Sequence, residues 1–214
     1  MSTLNYGVLG PISTNCYMLS NDESNECIII DPADRPDRII QMLDNKGLKP
    51  KAILLTHGHF DHIGAVVQLK NKYNIKVYLS REEKDLINSA NDNLSADYGI
   101  DLTKDYTGDF PVDVYLEDGD KFTEAGFEIL ALFTPGHTKG GMCFYIESEE
   151  LVFTGDTLFF ESIGRTDFPT GSLGILVNSV KEKLFALPDE TRCYPGHGQE
   201  TTIMHEKIYN PFLS

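Results

Sequence analysis

The chain has 214 residues, of which 41% are hydrophobic and 24% are charged, and its formal net charge at pH 7 is −15. This length allows a substantial buried core, and we expect a single domain over residues 1–214. The acidic charge argues against a nucleic-acid partner, because phosphate contacts need clustered Lys and Arg.

The first part of the chain predicts three strands and then a helix. Short apolar or alternating runs bounded by turn residues predict strands at Leu4–Leu9, Asn15–Leu19 and Glu26–Ile30. Pro36 suits the first turn of a helix, and Gly47 supplies its C-terminal stop.

Strands and helices then alternate. Lys51–Leu55 and Lys76–Leu79 are predicted strands, and Ile63–Tyr73 and Arg81–Ala90 are predicted helices. The stretch LLTHGHFDHIG therefore joins the end of a strand to the next helix, where α/β sheets usually carry their chemistry. Residues 91–112 have little periodicity, and two interpretations stay open: a surface connection, or a lid or substrate-binding loop.

A second series of strands follows, with two more helices. The strands are predicted at Asp113–Leu116, Lys121–Thr123, Phe127–Phe133, Met142–Ile146, Leu151–Thr154 and Arg192–Tyr194. The helices are predicted at residues 172–187, where apolar residues recur at helical spacing, and at Thr202–Tyr209. Because the strands form two batches with associated helices, we expect two packed sheets with helices on their outer faces.

The loop after the predicted strand Lys51–Leu55 holds three histidines and an aspartate within six positions. His57 and His59 are two residues apart on a turn and can face one point, whereas Asp61 and His62 can face a second. Three imidazoles beside a carboxylate would be a costly polar cluster without a cation. The sequence therefore predicts a metal site in this loop.

Three more residues of ligand type stand at the ends of later strands. His137 follows FTPG, Asp156 ends LVFTGD and His197 ends CYPGH, whereas His205 is expected to face solvent. Five imidazoles and two carboxylates exceed what one tetrahedral metal binds, and without a thiolate they favour Zn, Fe or Mn over Cu(I). We therefore predict two divalent metal ions, with zinc as the expected metal. The predicted ligands are His57, His59 and His137 for the first metal, Asp61, His62 and His197 for the second, and Asp156 as the bridge.

The segments THGHFDHIG, TPGHTKG, TGDTLF and PGHG resemble, in order and spacing, the motifs of the metallo-β-lactamase superfamily. Within that superfamily they are similar to the glyoxalase II branch, the hydroxyacylglutathione hydrolases. The resemblance implies an α+β fold, a four-layer αβ/βα sandwich in which two mixed sheets are flanked by helices. The chain looks like the short bacterial form, so we expect no C-terminal helical glutathione-binding domain.

Particular positions separate the chain from other relatives within this resemblance. Zinc β-lactamases commonly carry a residue other than histidine where His62 stands, and cysteine where Asp156 stands. Flavodiiron proteins typically have Glu in place of His59. The resemblance therefore does not favour antibiotic hydrolysis.

The resemblance also implies roles for two residues outside the ligand set. Arg165, in IGRTDFPTG, is a candidate for binding an anionic substrate group, and the alternative is an ion pair with Asp167 that stiffens the loop. Asp31, at the end of ECIIID, matches a family aspartate beneath the metals and would orient a ligand histidine. Capping of the helix near Asp34 is its alternative role.

The function implied is that of a metal-dependent hydrolase, a thioesterase that cleaves S-D-lactoylglutathione or a related small-molecule thioester. A hydroxide bridging the two metals would attack the acyl carbon, and Asp61 and Asp156 would anchor it as catalytic residues. Two alternatives use the same site. One is a persulfide dioxygenase with a single iron on His57, His137 and Asp156, and the other is a lactonase or other ester hydrolase.

The location is predicted from the cysteines and the N-terminus. Four cysteines are spread singly through apolar segments, which predicts buried free thiols in a reducing compartment. The N-terminal residues lack the features of a signal peptide, and no apolar run approaches the roughly 18 residues of a membrane helix. We therefore expect a cytoplasmic protein without a membrane partner.

Overall fold

Two six-stranded sheets form the centre of the structure, a computed structural model that describes residues 1–213. The first sheet contains, in spatial and chain order, β1 (Ser2–Leu9), β2 (Thr14–Asn21), β3 (Glu26–Ile30), β4 (Lys49–Leu54), β5 (Lys76–Ser80) and β6 (Val114–Leu116). Neighbours from β1 to β3 are antiparallel, and neighbours from β3 to β6 are parallel. The sheet is therefore mixed, as the sequence predicts.

The second sheet is formed by the later strands. These are β7 (Lys121–Glu124), β8 (Phe127–Phe133), β9 (Met142–Ile146), β10 (Leu151–Gly155), β13 (Arg192–Pro195) and β14 (Thr201–Thr202). Their spatial order is β14-β13-β10-β9-β8-β7, with only β10 and β13 paired in parallel. A separate hairpin joins β11 (Leu158–Phe159) to β12 (Ser162–Ile163), and the sequence analysis missed it.

Successive side chains of a strand point to opposite faces of its sheet, and apolar side chains occupy both faces of each sheet here. Ile28 and Ile30 of β3 pack against the second sheet, in a core that also contains Phe144 and Phe153. Cys27 and Ile29 of the same strand face the opposite way, toward helices α1 (Pro36–Lys46) and α3 (Val66–Tyr73). The outer face of the second sheet packs on α5 (Leu173–Ser179) and on Ile203 of α6 (Ile203–Tyr209). The predicted four-layer sandwich is confirmed.

One predicted helix is broken in two. Instead of a single helix over Ile63–Tyr73, the chain forms α2 (Phe60–Ile63) and then α3. At the break, the Gly64 N–H donates to the Ala33 carbonyl at 3.0 Å and the Ala65 N–H donates to the Pro32 carbonyl at 2.9 Å. A Cβ on Gly64 would lie 2.4 Å from the Ala33 oxygen, so this close approach needs glycine.

Other predicted elements differ in their bounds. The predicted helix Arg81–Ala90 is a 3₁₀ turn at Arg81–Glu83 followed by α4 (Lys84–Ile87). The helix predicted at residues 172–187 is α5 followed by a π-helical turn at Val180–Leu184. All four cysteines are buried and free, as predicted. Within residues 1–213, no helix has the length and apolar character needed to cross a membrane.

Candidate metal centre

The seven predicted ligand residues meet at one edge of the sandwich, where several strands end. β8 and β10 both pair antiparallel with β9, so they run in the same direction, and β13 is parallel to β10. The loops that follow these three strands therefore emerge at one edge. They carry His137, Asp156 and His197, while the loop after β4 and helix α2 carry His57, His59, Asp61 and His62.

Three imidazole nitrogens form a first ligand group. Nε2 of His57 and Nε2 of His137 each lie 3.0 Å from Nδ1 of His59. Nδ1 of His137 donates to the Arg165 carbonyl at 2.7 Å, because that oxygen can only accept. With Nδ1 bound to this carbonyl, the His137 ring presents Nε2 to the other two histidines, as a metal ligand must.

A second ligand group lies beside the first. Nε2 of His62 and Nε2 of His197 are 3.3 and 3.4 Å from Oδ2 of Asp61. Thr14 fixes this carboxylate, since its hydroxyl donates to Asp61 Oδ2 at 2.6 Å. Asp61, His62 and His197 thus lie within reach of one another, and His57, His62 and Asp156 form a further such set.

Asp156 contacts both ligand groups. Its Oδ1 lies 3.4 Å from His62 Nε2, and its Oδ2 lies 3.5 Å from both His137 Nε2 and His197 Nε2. A Cβ on the neighbouring Gly196 would lie 2.3 Å from Asp156 Oδ1, which explains why glycine precedes His197. Asp156 thus occupies the position between the groups that a bridging ligand requires.

Two polar atoms of the cluster fit a bound cation. Nε2 of His62 and Oδ1 of Asp156 are buried, lie 3.4 Å apart, and form no hydrogen bond of good geometry with any residue of the described chain. Buried polar atoms without partners are costly, and a metal ion would satisfy both. The cluster is therefore suited to a dinuclear metal site.

The two ligand groups differ in charge. Burial and the neighbouring histidines lower the pKa of His57 well below its usual range and that of His59 to about 3, so both are neutral. Burial would also lower the pKa of His62, but the carboxylates of Asp61 and Asp31 raise it well above its usual range. Burial would likewise lower the pKa of His197, but hydrogen bonds to Asp156 and Asp61 raise it to about 10.

These protonated imidazoles balance the carboxylates of the second group. Burial would raise the pKa values of Asp61 and Asp156, but the charge on His62 lowers both well below the usual range. The two imidazolium ions thus offset part of the carboxylate charge when no metal is bound. Metal binding to the second group displaces protons and strengthens as the pH rises, because imidazole binds metals only in its neutral form.

Asp31 lies beneath the ligands and is fully buried. Its Oδ2 accepts hydrogen bonds from His62 Nδ1 at 2.9 Å and from the Thr56 hydroxyl at 2.7 Å, while its Oδ1 accepts from the Thr56 backbone N–H at 2.8 Å. The Thr56 oxygen in turn lies 3.1 Å from His57 Nδ1. These contacts place Asp31 next to ligand histidines of both groups, as the predicted orienting role requires.

Glu83 is a residue of this site that the sequence analysis missed. Its carboxylate is 0% exposed. One oxygen accepts the Gly58 N–H and the other accepts the Gly140 N–H, both at 2.8 Å. Gly58 stands between His57 and His59, and Gly140 closes the turn that carries His137. Glu83 therefore joins the two loops that supply the first ligand group.

We expect Glu83→Ala to lower the free energy of unfolding by about 3 kcal/mol, because two buried backbone N–H groups would lose their acceptor. Urea denaturation of the metal-free protein measures this change. Glu82→Ala, at the exposed neighbouring position, is the matched control and should change stability little. Equal stability of the two variants would contradict the role assigned to Glu83.

A cavity of about 310 Å³ opens above the ligand cluster. Leu94 and Tyr98, from the segment 91–112, contribute to its lining, so part of that segment borders the site. Arg165 also lines the cavity, and it forms an ion pair with Asp167 at 2.7 Å. Arg165 thus lies beside the site and is paired with Asp167, and its binding of an anionic substrate group stays a prediction.

Comparison with known proteins identifies similar sequences along almost the whole chain. A family model described as the metallo-beta-lactamase superfamily matches residues 9–197. The probable metallo-hydrolase YqgX of Bacillus subtilis is 41% identical over 96% of this chain and 95% of its own length. The hydroxyacylglutathione hydrolase GloC of Haemophilus influenzae is 36% identical over 94% of this chain and 92% of its own length.

Two solved structures have the same fold and substantial sequence identity. BLEG-1 B3 metallo-beta-lactamase superposes with a TM-score of 0.91 at 38% identity, covering 99% of this chain and 100% of that chain. TTHA1623, solved in a di-iron-bound form, superposes with a TM-score of 0.85 at 37% identity, covering 98% of this chain and 100% of that chain. The second neighbour holds two metal ions on a similar fold.

Proposed function

The chain belongs to the metallo-β-lactamase superfamily, and from this premise we propose that it is a metal-dependent hydrolase that cleaves small-molecule thioesters. S-D-lactoylglutathione is a candidate thioester, because the relative GloC is named as a hydroxyacylglutathione hydrolase. We propose zinc as the metal, with iron as the alternative, because TTHA1623 is a di-iron form.

The observation that carries this proposal is the division of seven ligands into two groups joined by one carboxylate. His57, His59 and His137 would hold one metal, Asp61, His62 and His197 the other, and Asp156 would contact both. When bound, two such metals lower the pKa of a shared water and polarise the carbonyl group of a substrate. No serine or cysteine nucleophile is then required.

The protein's own side chains position the ligands and keep their charge. In the metal-free protein Asp61 and Asp156 are ionised, because the charge on His62 holds the pKa of both carboxyl groups well below the usual range. Both carboxylates are therefore available to offset the positive charge of bound metals. The Thr14 hydroxyl orients Asp61, and Asp31 orients His62 through its Nδ1.

Metal analysis and a thiol-release assay on the same purified sample test the proposal. We expect two metal ions per chain and release of free thiol from thioesters that stops when the metals are chelated. Oxygen uptake with a persulfide substrate and one iron per chain would contradict the proposal and favour the dioxygenase. Absence of thiol release from a panel of thioesters by the protein with two metals would also contradict it.

Hydrolysis of β-lactams is a second candidate, favoured by the similarity to BLEG-1 B3 metallo-beta-lactamase. A site that activates water and polarises a carbonyl can attack a strained amide as well as a thioester. The ratio of kcat/KM for a chromogenic cephalosporin to that for a thioester, measured on one sample, decides between the two. We expect the thioester to be the better substrate.

A further inference from the structure

Apart from the predicted metal ligands, six of the seven residues that line the cavity above the ligand cluster are apolar or aromatic. They are Ile12, Phe60, Leu94, Tyr98, Phe159 and Phe168, and we call them the apolar wall. Tyr98 packs on Phe60 with ring centroids 4.6 Å apart, so these two rings support each other. Yet Tyr98 is 52% exposed, so its ring is available to a ligand.

Aromatic rings of the apolar wall stand beside both ligand groups. The ring of Phe168 lies 5.8 Å from that of His59 in the first group, and the ring of Phe159 lies 6.1 Å from that of His197 in the second. A substrate bound across the cluster would therefore meet a phenylalanine ring beside each ligand group.

The cavity offers little positive side-chain charge to an anionic substrate. Arg165 is the only lysine or arginine among the residues that line it. Two hydrogen bonds, at 2.7 and 3.0 Å, join its guanidinium to the carboxylate of Asp167, and the group also lies 4.0 Å above the Phe168 ring. A substrate carboxylate would have to share this cation with Asp167, whose negative charge would repel it.

From these observations we infer that the site selects thioesters whose thiol part is apolar and uncharged, rather than thioesters of glutathione. Glutathione carries two carboxylates and one ammonium group, a net negative charge, and the guanidinium of Arg165 is already paired with Asp167. An uncharged thiol, by contrast, loses no hydration of a charged group when it packs against the apolar wall. This inference rests on the proposed thioesterase function and specifies its substrate.

Binding of two thioethers that cannot be hydrolysed tests the inference. S-hexyl-N-acetylcysteamine and S-hexylglutathione share the alkyl chain and differ in the charges on the thiol side. Calorimetric titration of the metal-loaded protein should show at least about tenfold tighter binding of the uncharged compound. Equal binding, or tighter binding of S-hexylglutathione, would overturn the inference.

Two variants test whether Asp167 and Tyr98 cause the preference for the uncharged compound. Asp167→Ala should release Arg165 and strengthen binding of S-hexylglutathione about fivefold, without changing binding of S-hexyl-N-acetylcysteamine. Tyr98→Ala should weaken binding of the uncharged compound about fivefold. Tyr209→Ala removes a tyrosine that is 61% exposed and does not line the cavity, so it is the matched control. If Asp167→Ala changed neither affinity, the charge argument would be wrong.

The hydrolysis and binding measurements can contradict the substrate inference and the thioesterase function separately. If thioesters of glutathione and of N-acetylcysteamine are cleaved with equal kcat/KM, the thioesterase function stands and the substrate inference falls. If no thioester is cleaved but the uncharged thioether still binds more tightly, the thioesterase function falls and the ligand preference of the cavity stands.

Discussion

Replacement of Asp156 by alanine is expected to lower kcat/KM for thioester hydrolysis by about a thousandfold or more, equivalent to about 4 kcal/mol of transition-state stabilisation. The reason is that the Asp156 carboxylate contacts both ligand groups, with His62 and His197 on one side and His137 on the other. Without this carboxylate, each proposed metal would lose a ligand and the cluster would lose a negative charge.

The loss of metal can be measured apart from the loss of activity. Zinc bound at a hundred times its dissociation constant should stabilise the wild-type protein by about 2.7 kcal/mol, and the variant much less. Thermal unfolding with and without zinc therefore reports on binding, while circular dichroism shows whether the metal-free variant is folded. Asp189→Ala removes an exposed aspartate that pairs with Lys207, and this control should bind zinc and hydrolyse thioesters normally.

A folded Asp156→Ala protein that hydrolyses thioesters at the wild-type rate would contradict both the bridging role and the proposed function. A protein that binds zinc normally but has lost activity would contradict only the assignment of Asp156 to metal binding. Zinc binding thus tests the role of Asp156 as a metal ligand, and the activity assay tests the proposed reaction.

The ligand cluster could be predicted because its residues mark the ends of strands. The apolar runs before Asp156 and His197 predict buried strands, and residues of ligand type directly after such strands lie at an edge of the sheet. Asp31 also follows an apolar run, that of β3, but its role beneath the metals is what the family resemblance implies. Position along a strand and side-chain chemistry are sufficient only for the seven ligands.

Contacts between distant segments could not be predicted in the same way. Glu83 accepts backbone N–H groups of glycines that lie 25 and 57 residues away in sequence, and glycine N–H groups leave no side-chain signal. The break at Gly64 depends on the Ala33 carbonyl, which belongs to another segment. The hairpin β11–β12 has two residues in each strand, too few for a periodic pattern.

The pairing of Arg165 shows a different limit of sequence reasoning. Its two proposed roles, substrate contact and ion pair with Asp167, were treated as alternatives, although the structure contains both the lining position and the ion pair. The sequence identified the residue but not the competition between Asp167 and an anionic ligand. That competition is the feature on which the inferred preference for uncharged thioesters depends.

Replacement of Asp31 by asparagine should weaken metal binding about 10- to 100-fold, because hydrogen-bond partners beneath metal ligands fix their orientation and raise their basicity. Asparagine preserves the shape of the side chain and tolerates the backbone φ of 48° at this position. It removes the negative charge, however, and its amide cannot accept from His62 Nδ1 and from both donors of Thr56 at once.

The effect should be unequal at the two ligand groups. Asp31 contacts His62 directly, whereas it reaches His57 only through the Thr56 hydroxyl. We therefore expect Asp31→Asn to weaken mainly the group that contains His62, and Thr56→Val, which removes only the hydroxyl link, to weaken mainly the group that contains His57. Titration with Co²⁺, followed by its visible absorption, resolves the two binding steps.

The matched control is Thr56→Ser, which keeps the hydroxyl and should retain both affinities within a few fold. If Asp31→Asn and Thr56→Val weakened the same binding step, Asp31 would not act mainly on the group with His62 while the Thr56 hydroxyl acts mainly on the group with His57. If Asp31→Asn left both steps unchanged, Asp31 would serve the fold of the loop and not the metal ligands. Either result would place the source of the ligand orientation elsewhere, with the Glu83 contacts to Gly58 and Gly140 as the remaining support for the first group.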